Sequence, residues 1–499
     1  MRGTVFAIFA VWAGVLAGYV ASTARGQTWA TPEVRGTWVT TTGMTNPASP
    51  IFSPASTTTS FRTLRDIGFN SLYVDVFRNG DTYFDSPTHA AITGNLKAPL
   101  LGSRDLLQEM VIQGHRNRMA VIGWFQYGFA AKFGNPGTNP NELARYMADR
   151  GWLLRDQAGN FTNSSNGFSW MNPLVPEVRE YLKGIVVDAV TRYDLDGIQF
   201  DDRLAWPIQF GWDDYTRQRY LAETGRALPT SVTNTLFKQW RAQKVTEFAR
   251  ELIDAVRAVR PNLIISVSPA TYPFSYDNYC ADWPAWRAAG LFDEFVPQVY
   301  RQGFSNFDRD WDGAGSITTG GQVQYMGDRR GDFAAGIAVD VNSTFNTWND
   351  LRQMIDLVRQ TPGVAGHVLW YTQGVFEYAS QLTAYYDVAG RGHAPRPDLP
   401  PEWRPPPVVG SALGGGVWEL VVPATGFYDL IAGSNDVWRV EQAGLLLQPG
   451  VVRFTVPGAQ QVELLFSGRV LVIPEPGGVA VLAAAALGLG RRRARPVAA

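Results

Sequence analysis

Between residues 31 and 390 the chain repeats one pattern eight times, a short run of buried-type residues followed by a stretch with apolar side chains at helical spacing. A helix between two strands carries the chain back across the sheet, so such a pattern builds parallel strands. The candidate strands are 34–39, 71–77, 120–125, 197–200, 263–267, 295–300, 333–339 and 364–371. After Pro176, a residue suited to a first helical turn, Val178, Tyr181, Leu182, Ile185, Ala189 and Val190 fall on one face. A second stripe, Val245, Phe248, Leu252, Val256 and Val259, is stopped by Pro261 just before the fifth strand. The expected fold is α/β: a closed (β/α)8 TIM barrel over residues 31–390. An open doubly wound sheet is disfavoured because no Gly-rich fingerprint follows the first strand, and no cofactor is called for.

The ends of the chain read differently. Arg2, an apolar stretch over residues 5–20 and Ala24-Arg25-Gly26 have the form of a secretory signal peptide occupying residues 1–26. Residues 391–407 hold seven prolines and little that could pack, which reads as a semi-rigid linker. Short Val/Leu/Phe-rich runs separated by turn residues then suggest a small all-β module over 408–472. Pro474-Glu475-Pro476, an apolar run over 477–490 too short to cross a bilayer, and Arg491-Arg492-Arg493 complete the chain. This tail, residues 473–499, resembles a PEP-CTERM sorting signal. The resemblance implies processing by an exosortase, as the signal peptide implies signal peptidase, and delivery to the envelope, cell surface or extracellular matrix of a Gram-negative-type bacterium.

Without its two terminal segments the chain has 38 basic and 44 acidic residues, a net charge of −6 that disfavours a nucleic-acid partner. Cys280 is the sole cysteine, and His89, His115, His367 and His393 lie far apart, so no disulfide and no metal-ligand spacing is present.

Active sites of such barrels are assembled where strands end. Here those ends carry Asp75 with Arg78, Trp124 with Tyr127, Gln199 with Asp201, Asp202 and Arg203, Gln298 with Tyr300, and Trp370. Along strand four, alternation places Gln199 and Asp201 toward the barrel axis and Ile198 and Phe200 toward the helices. Glycosidic cleavage uses one group to protonate the leaving oxygen and another to attack or stabilise the sugar cation, which paired carboxyls supply. Aromatic rings beside Arg, Gln and Asp suit the flat faces and hydroxyl edges of sugars. Trp124, Tyr127, Trp206, Tyr300 and Trp370 are the candidate platforms.

Several segments together carry a family resemblance: Glu33-Val34-Arg35-Gly36-Thr37-Trp38, Gly68-Phe69-Asn70, Met171-Asn172-Pro173, and Asp194-Leu195-Asp196-Gly197-Ile198-Gln199-Phe200-Asp201-Asp202, with Val267-Ser268-Pro269 and Pro297-Gln298-Val299-Tyr300 continuing it. They resemble the glycosyl-hydrolase-like 10 family. Arg203-Leu204-Ala205-Trp206-Pro207 and Phe210-Gly211-Trp212-Asp213 look like its branch of divisome glycosidases, which cleave peptide-free peptidoglycan strands. The resemblance implies an exported hydrolase of envelope or extracellular polysaccharide with Asp201 and Asp202 as its acidic pair. Asp201 would be nucleophile or electrostatic stabiliser and Asp202 the acid/base or its orienter. Asp75, Arg78, Gln199, Arg203, Asp293, Gln298 and Tyr300 would contact substrate, with Trp124 and Trp370 as floor. A chitinase-type segment would place Asp and Glu where Gln199 and Arg203 stand, and strand five ends without a carboxylate. Asp202, Asp75, Asp293 and Glu294 are thus all candidates for the general acid. The contrasting expectation is a surface carbohydrate-binding or matrix scaffold whose barrel has lost catalysis.

Overall fold

The computed structural model describes residues 31–313, 321–339, 345–399, 403–434 and 436–468. The signal peptide and the sorting tail both lie outside them. Among the described residues no helix is long and apolar enough to cross a membrane.

Eight parallel strands form the central sheet: β1 (Val34–Val39), β2 (Ser71–Asp75), β3 (Ala120–Phe125), β4 (Gly197–Phe200), β5 (Ile264–Val267), β6 (Glu294–Phe295), β7 (Ala334–Ala338) and β8 (Gly366–Trp370). Neighbours in space are neighbours in sequence, and β8 pairs with β1. Single parallel bridges, Phe295 to Phe333 and Gln298 to Gly336, close β6 against β7, so the sheet is a barrel. Strand six is shorter than its sequence suggests. Pro297 has no N–H to give a ladder, and beyond Phe295 the pairing survives only as isolated bridges.

Two apolar layers result. Ile198 and Phe200 belong to the large cluster between sheet and helices, including α1 (Pro54–Ile67), α2 (Leu106–Arg116), α3 (Pro176–Arg192) and α4 (Thr235–Val259). Val34, Trp38, Tyr73, Ile122, Trp124, Val296, Ala334 and Val368 fill the barrel itself. Seven further strands, β9 (Val408–Val409), β10 (Ser411–Gly414), β11 (Val417–Val422), β12 (Gly426–Ser434), β13 (Val437–Leu447), β14 (Gly450–Thr455) and β15 (Gln461–Phe466), form two antiparallel sheets, β9-β15-β12-β13 and β10-β11-β14. They pack on their own core of Trp418, Leu420, Tyr428, Leu430, Val462 and Leu464.

The proline-rich segment before them contains more that packs than its composition suggests. Arg396 is buried at the amino-terminal end of the barrel, where it donates to Ser71 Oγ at 2.8 Å and pairs with Glu294. Arg404 reaches Asp194 at 3.0 Å and Asp196 at 2.7 Å.

Candidate active site

The chain leaves β4 in a tight loop that brings Asp201, Asp202 and Arg203 together at the carboxyl end of the barrel. The Arg203 N–H donates to Asp201 Oδ1 at 3.0 Å, and one guanidinium nitrogen, Nη1, donates to Asp201 Oδ2 at 3.1 Å and Asp202 Oδ1 at 3.2 Å. The same nitrogen reaches the Gln126 carbonyl after β3 at 3.3 Å. The two loops touch through backbone as well: Phe129 N–H donates to the Arg203 carbonyl at 3.0 Å. That approach requires Gly128, whose φ is +45° and where a Cβ would stand 2.5 Å from the same carbonyl oxygen.

Burial divides the two carboxyls. The Asp201 side chain is 2% exposed and the Asp202 side chain 33%. Burial, then the negative charge of Asp202, then a hydrogen bond between the two carboxyls, drive Asp201 well above the ordinary carboxyl range despite Arg203. Three tyrosines face this group. Tyr300 is raised by burial and by the charges of both aspartates, and Tyr279 by burial and by Asp202. The Tyr127 ring lies 5.3 Å from the Arg203 guanidinium and 5.9 Å from that of Arg78.

Asp75, at the end of β2, is wholly buried. Its Oδ2 accepts from Thr41 Oγ1 at 2.6 Å and from Thr41 N–H at 3.2 Å, and burial pushes the carboxyl up to about 6. Its Oδ1 has no hydrogen-bond partner in the protein, and neither do Trp124 Nε1, Gln126 Oε1, Ser268 Oγ or Gln373 Oε1. All five belong to residues at or just beyond the carboxyl ends of β2, β3, β5 and β8. Buried polar atoms are ordinarily satisfied, so this end of the barrel has hydrogen-bonding capacity left for solvent or ligand.

Trp370 and Tyr300 are half-buried and stack at 6.1 Å, with Trp124 edge-on to Trp370 at 5.6 Å. Gln298 donates to the Ser268 carbonyl at 3.0 Å on the same side. Asp201, Asp202, Arg203, Arg78, Tyr127, Gln298, Tyr300 and Trp370 thus gather at one end.

Other expectations change. Gln199 does point to the axis, but its amide is spent there, accepting from Trp38 Nε1 at 2.8 Å and donating to Ser266 Oγ at 2.9 Å, so it braces the floor. Trp124 is almost wholly buried and lies beneath Trp370 without presenting a face. Trp206 is core: its indole donates to the Phe210 carbonyl at 3.0 Å and its ring packs on Trp240. Asp293 just before β6 and Glu294 at its first position sit at the opposite end, paired with Arg257 and Arg396. Neither can be the general acid. Tyr279, and Phe168 whose ring centre lies 4.8 Å from the Arg203 guanidinium, escaped the sequence reading because they come from a helix and a hairpin inserted after strands five and three. Among the described residues no cluster of His, Cys, Asp or Glu could hold a metal ion.

Residues 33–323 match the model of the family described as Glycosyl hydrolase-like 10. The chain belongs to this family. Among curated relatives, Glycosyl hydrolase DigH of Escherichia coli K12 is 25% identical over 258 residues, which are 48% of this chain and 56% of DigH. Glycosyl hydrolase YngK of Bacillus subtilis 168 is 20% identical over 261 residues, 48% of this chain and 47% of YngK. The chain thus spans about half the length of the curated relatives it matches. Among solved structures, the PgaB (BpsB) glycoside hydrolase domain of Bordetella bronchiseptica superposes with a TM-score of 0.50 at 12% identity, covering 70% of this chain and 98% of that domain. This likeness concerns the fold. For a Glycosyl hydrolase-like 10 barrel, the matched region includes every residue of the acidic group and stops before β7.

Proposed function

We propose that the protein is an exported glycoside hydrolase acting on a bacterial amino-sugar polysaccharide, with peptide-free peptidoglycan strands the leading substrate. The carrying observation is that the two carboxyls share one guanidinium nitrogen yet are unequally buried. Asp202, the one a sugar can reach, protonates the leaving oxygen. Asp201 is shut off from substrate and cannot attack an anomeric carbon. It is a positioning residue that shares the Arg203 guanidinium with Asp202, and Asp202 keeps the acid role expected of it.

Both carboxyls sit on one guanidinium nitrogen, at 3.1 and 3.2 Å, instead of flanking a substrate as the pairs of retaining and inverting enzymes do. The attacking group must come from elsewhere, and a 2-acetamido group on the substrate supplies it in substrate-assisted hydrolysis. This favours an N-acetylated polymer. Family membership and the unsatisfied polar rim support the reading, and the signal peptide and tail would give the enzyme access to envelope or matrix glycans.

The test is incubation of the protein with peptide-free murein, chitin and exopolysaccharide, N-acetylated and de-N-acetylated, with product masses as readout. Cleavage of N-acetylated polymer only, lost in Asp202→Asn, is expected. Equal cleavage by Asp202→Asn overturns the assignment. The burial of both Asp75 and Asp201 favours a second reading, a sugar-binding scaffold, and binding of these glycans without any product would establish it.

A further inference from the structure

The acidic group is connected to the surface by a line of rings. The Arg203 guanidinium lies 4.8 Å from the centre of Phe168, which is edge-on to Tyr127 at 5.7 Å and to Phe133 at 5.2 Å. Phe133 ends the line and is 64% exposed, the most exposed phenylalanine on the barrel. It sits on a hairpin, Ala130–Phe133 paired with Phe168–Trp170, inserted between β3 and α3.

This ring is held in place. Phe133 N–H donates to Asn79 Oδ1 at 3.0 Å, which ties the hairpin to the loop bearing Arg78. Gly134 N–H donates to the Gly167 carbonyl at 2.7 Å, and Ser169 Oγ donates to the Gly134 carbonyl at 2.7 Å. A Cβ at Gly167 would stand 3.0 Å from the Phe133 ring, so the hairpin leaves that edge clear for it. The neighbouring charge is neutralised, Lys132 pairing with Glu142 at 2.7 Å. A rigid, exposed aromatic surface continuous with a polar cleft is the kind of platform on which the apolar face of a pyranose stacks, since little is lost in ordering it.

We propose that Phe133, backed by Phe168, is a remote subsite that stacks on a sugar unit of the same glycan strand beyond the unit being cleaved, with Arg78 contacting the substituents between. The site then acts within long strands and discriminates by length. This rests on the hydrolase reading for its choice of ligand, and its test is binding, which does not require turnover. Asp202→Asn protein and the Asp202→Asn/Phe133→Ala and Asp202→Asn/Phe133→Trp doubles are titrated calorimetrically with the disaccharide and the hexasaccharide of β-1,4-linked N-acetylglucosamine. The preference for hexamer over dimer should fall roughly tenfold in the Ala double, the size of one ring contact, and persist in the Trp double. Leu221→Ala, which removes another exposed apolar side chain, from the helix Asp214–Thr224, should leave the preference intact. An unchanged preference in the Ala double overturns the proposal, as does equal weakening toward both lengths. If wild-type protein cleaves nothing yet the preference falls as stated, the subsite stands and the hydrolase reading fails.

Discussion

Asp201 and Asp202 are adjacent in sequence and share one guanidinium nitrogen, yet they are unequally buried, and the proposed reading gives the acid role to the exposed one. A lost general acid typically costs 10²–10⁴ in rate. Asp202→Asn should lose at least a hundredfold in kcat while the melting temperature barely moves, because its side chain is a third exposed. Asp201→Asn should instead move a limb of the pH–rate profile, because it removes the carboxyl that burial and the charge of Asp202 hold well above the ordinary range. A purely structural role for Asp201 would lower kcat without moving the limb. Asp75 makes a separate prediction. Its folded-state value of about 6 lies above an ordinary 3.8, so the unfolded chain releases this proton first as pH rises, and the folded state loses stability between about pH 4 and 6. Asn at this position keeps an oxygen for Thr41 and places an uncharged group where Oδ1 stands. Asp75→Asn should therefore be more stable than wild type at pH 7.5, by at most about 3 kcal/mol for two pKa units, with the gain vanishing near pH 4. Melting temperatures across that range decide it, and a gain independent of pH would refute the ionisation argument.

At the scale of elements, β1, β3 and β4 coincide with their sequence readings, and α3 buries the face its spacing indicates. Local pattern suffices there because alternation and helical spacing are set by the same burial that the fold enforces. What the pattern could not convey is which end of a strand a residue occupies once short loops crowd around it. Asp194 and Asp196 lie below β4 with His115 and Arg404, while Asp201 and Asp202 lie above, although all four belong to one stretch of nine residues. Trp206 resembled a platform because it follows a strand, but the helix α4 folds over it. Trp206→Ala should cost about 3–5 kcal/mol of stability, as for a core aromatic, and leave the substrate KM of the surviving folded protein unaltered. Composition likewise concealed Arg396 among prolines. Removing it strands Glu294 as a buried charge beside Tyr73. Arg396→Ala should destabilise by about 3–5 kcal/mol in chemical denaturation, and adding Glu294→Gln should restore much of that loss, since the only other carboxylate Arg396 pairs with, Asp398, is partly exposed. Additive losses would mean the pair is not coupled.

For the whole molecule the question is whether barrel and β module unfold together. Their contact is not a loose tether: Ile112 of α2 packs with Ile431, Trp438 and Leu465 of the module, and the Arg116 guanidinium lies 3.8 Å from the Trp438 ring centre while pairing with Glu463 at 2.9 Å. Arg404 and the Gly468 N–H, at 3.1 Å, converge on Asp194 from the module side. These buried charges have no other way to be neutralised so fully, so separation of the module would leave Asp194 and Asp196 to His115 and Arg260. Cooperative unfolding follows when the interface is worth as much as the stability of the weaker unit. Calorimetry of the full chain should give a single transition, with equal calorimetric and van't Hoff enthalpies. Arg404→Ala combined with Trp438→Ala should split it in two, the module melting first because it has the smaller core. Two transitions already present in the wild type would show the module to be an independent appendage. The position of β4, whose lower end these contacts hold and whose upper end carries the acidic pair, would then owe nothing to it.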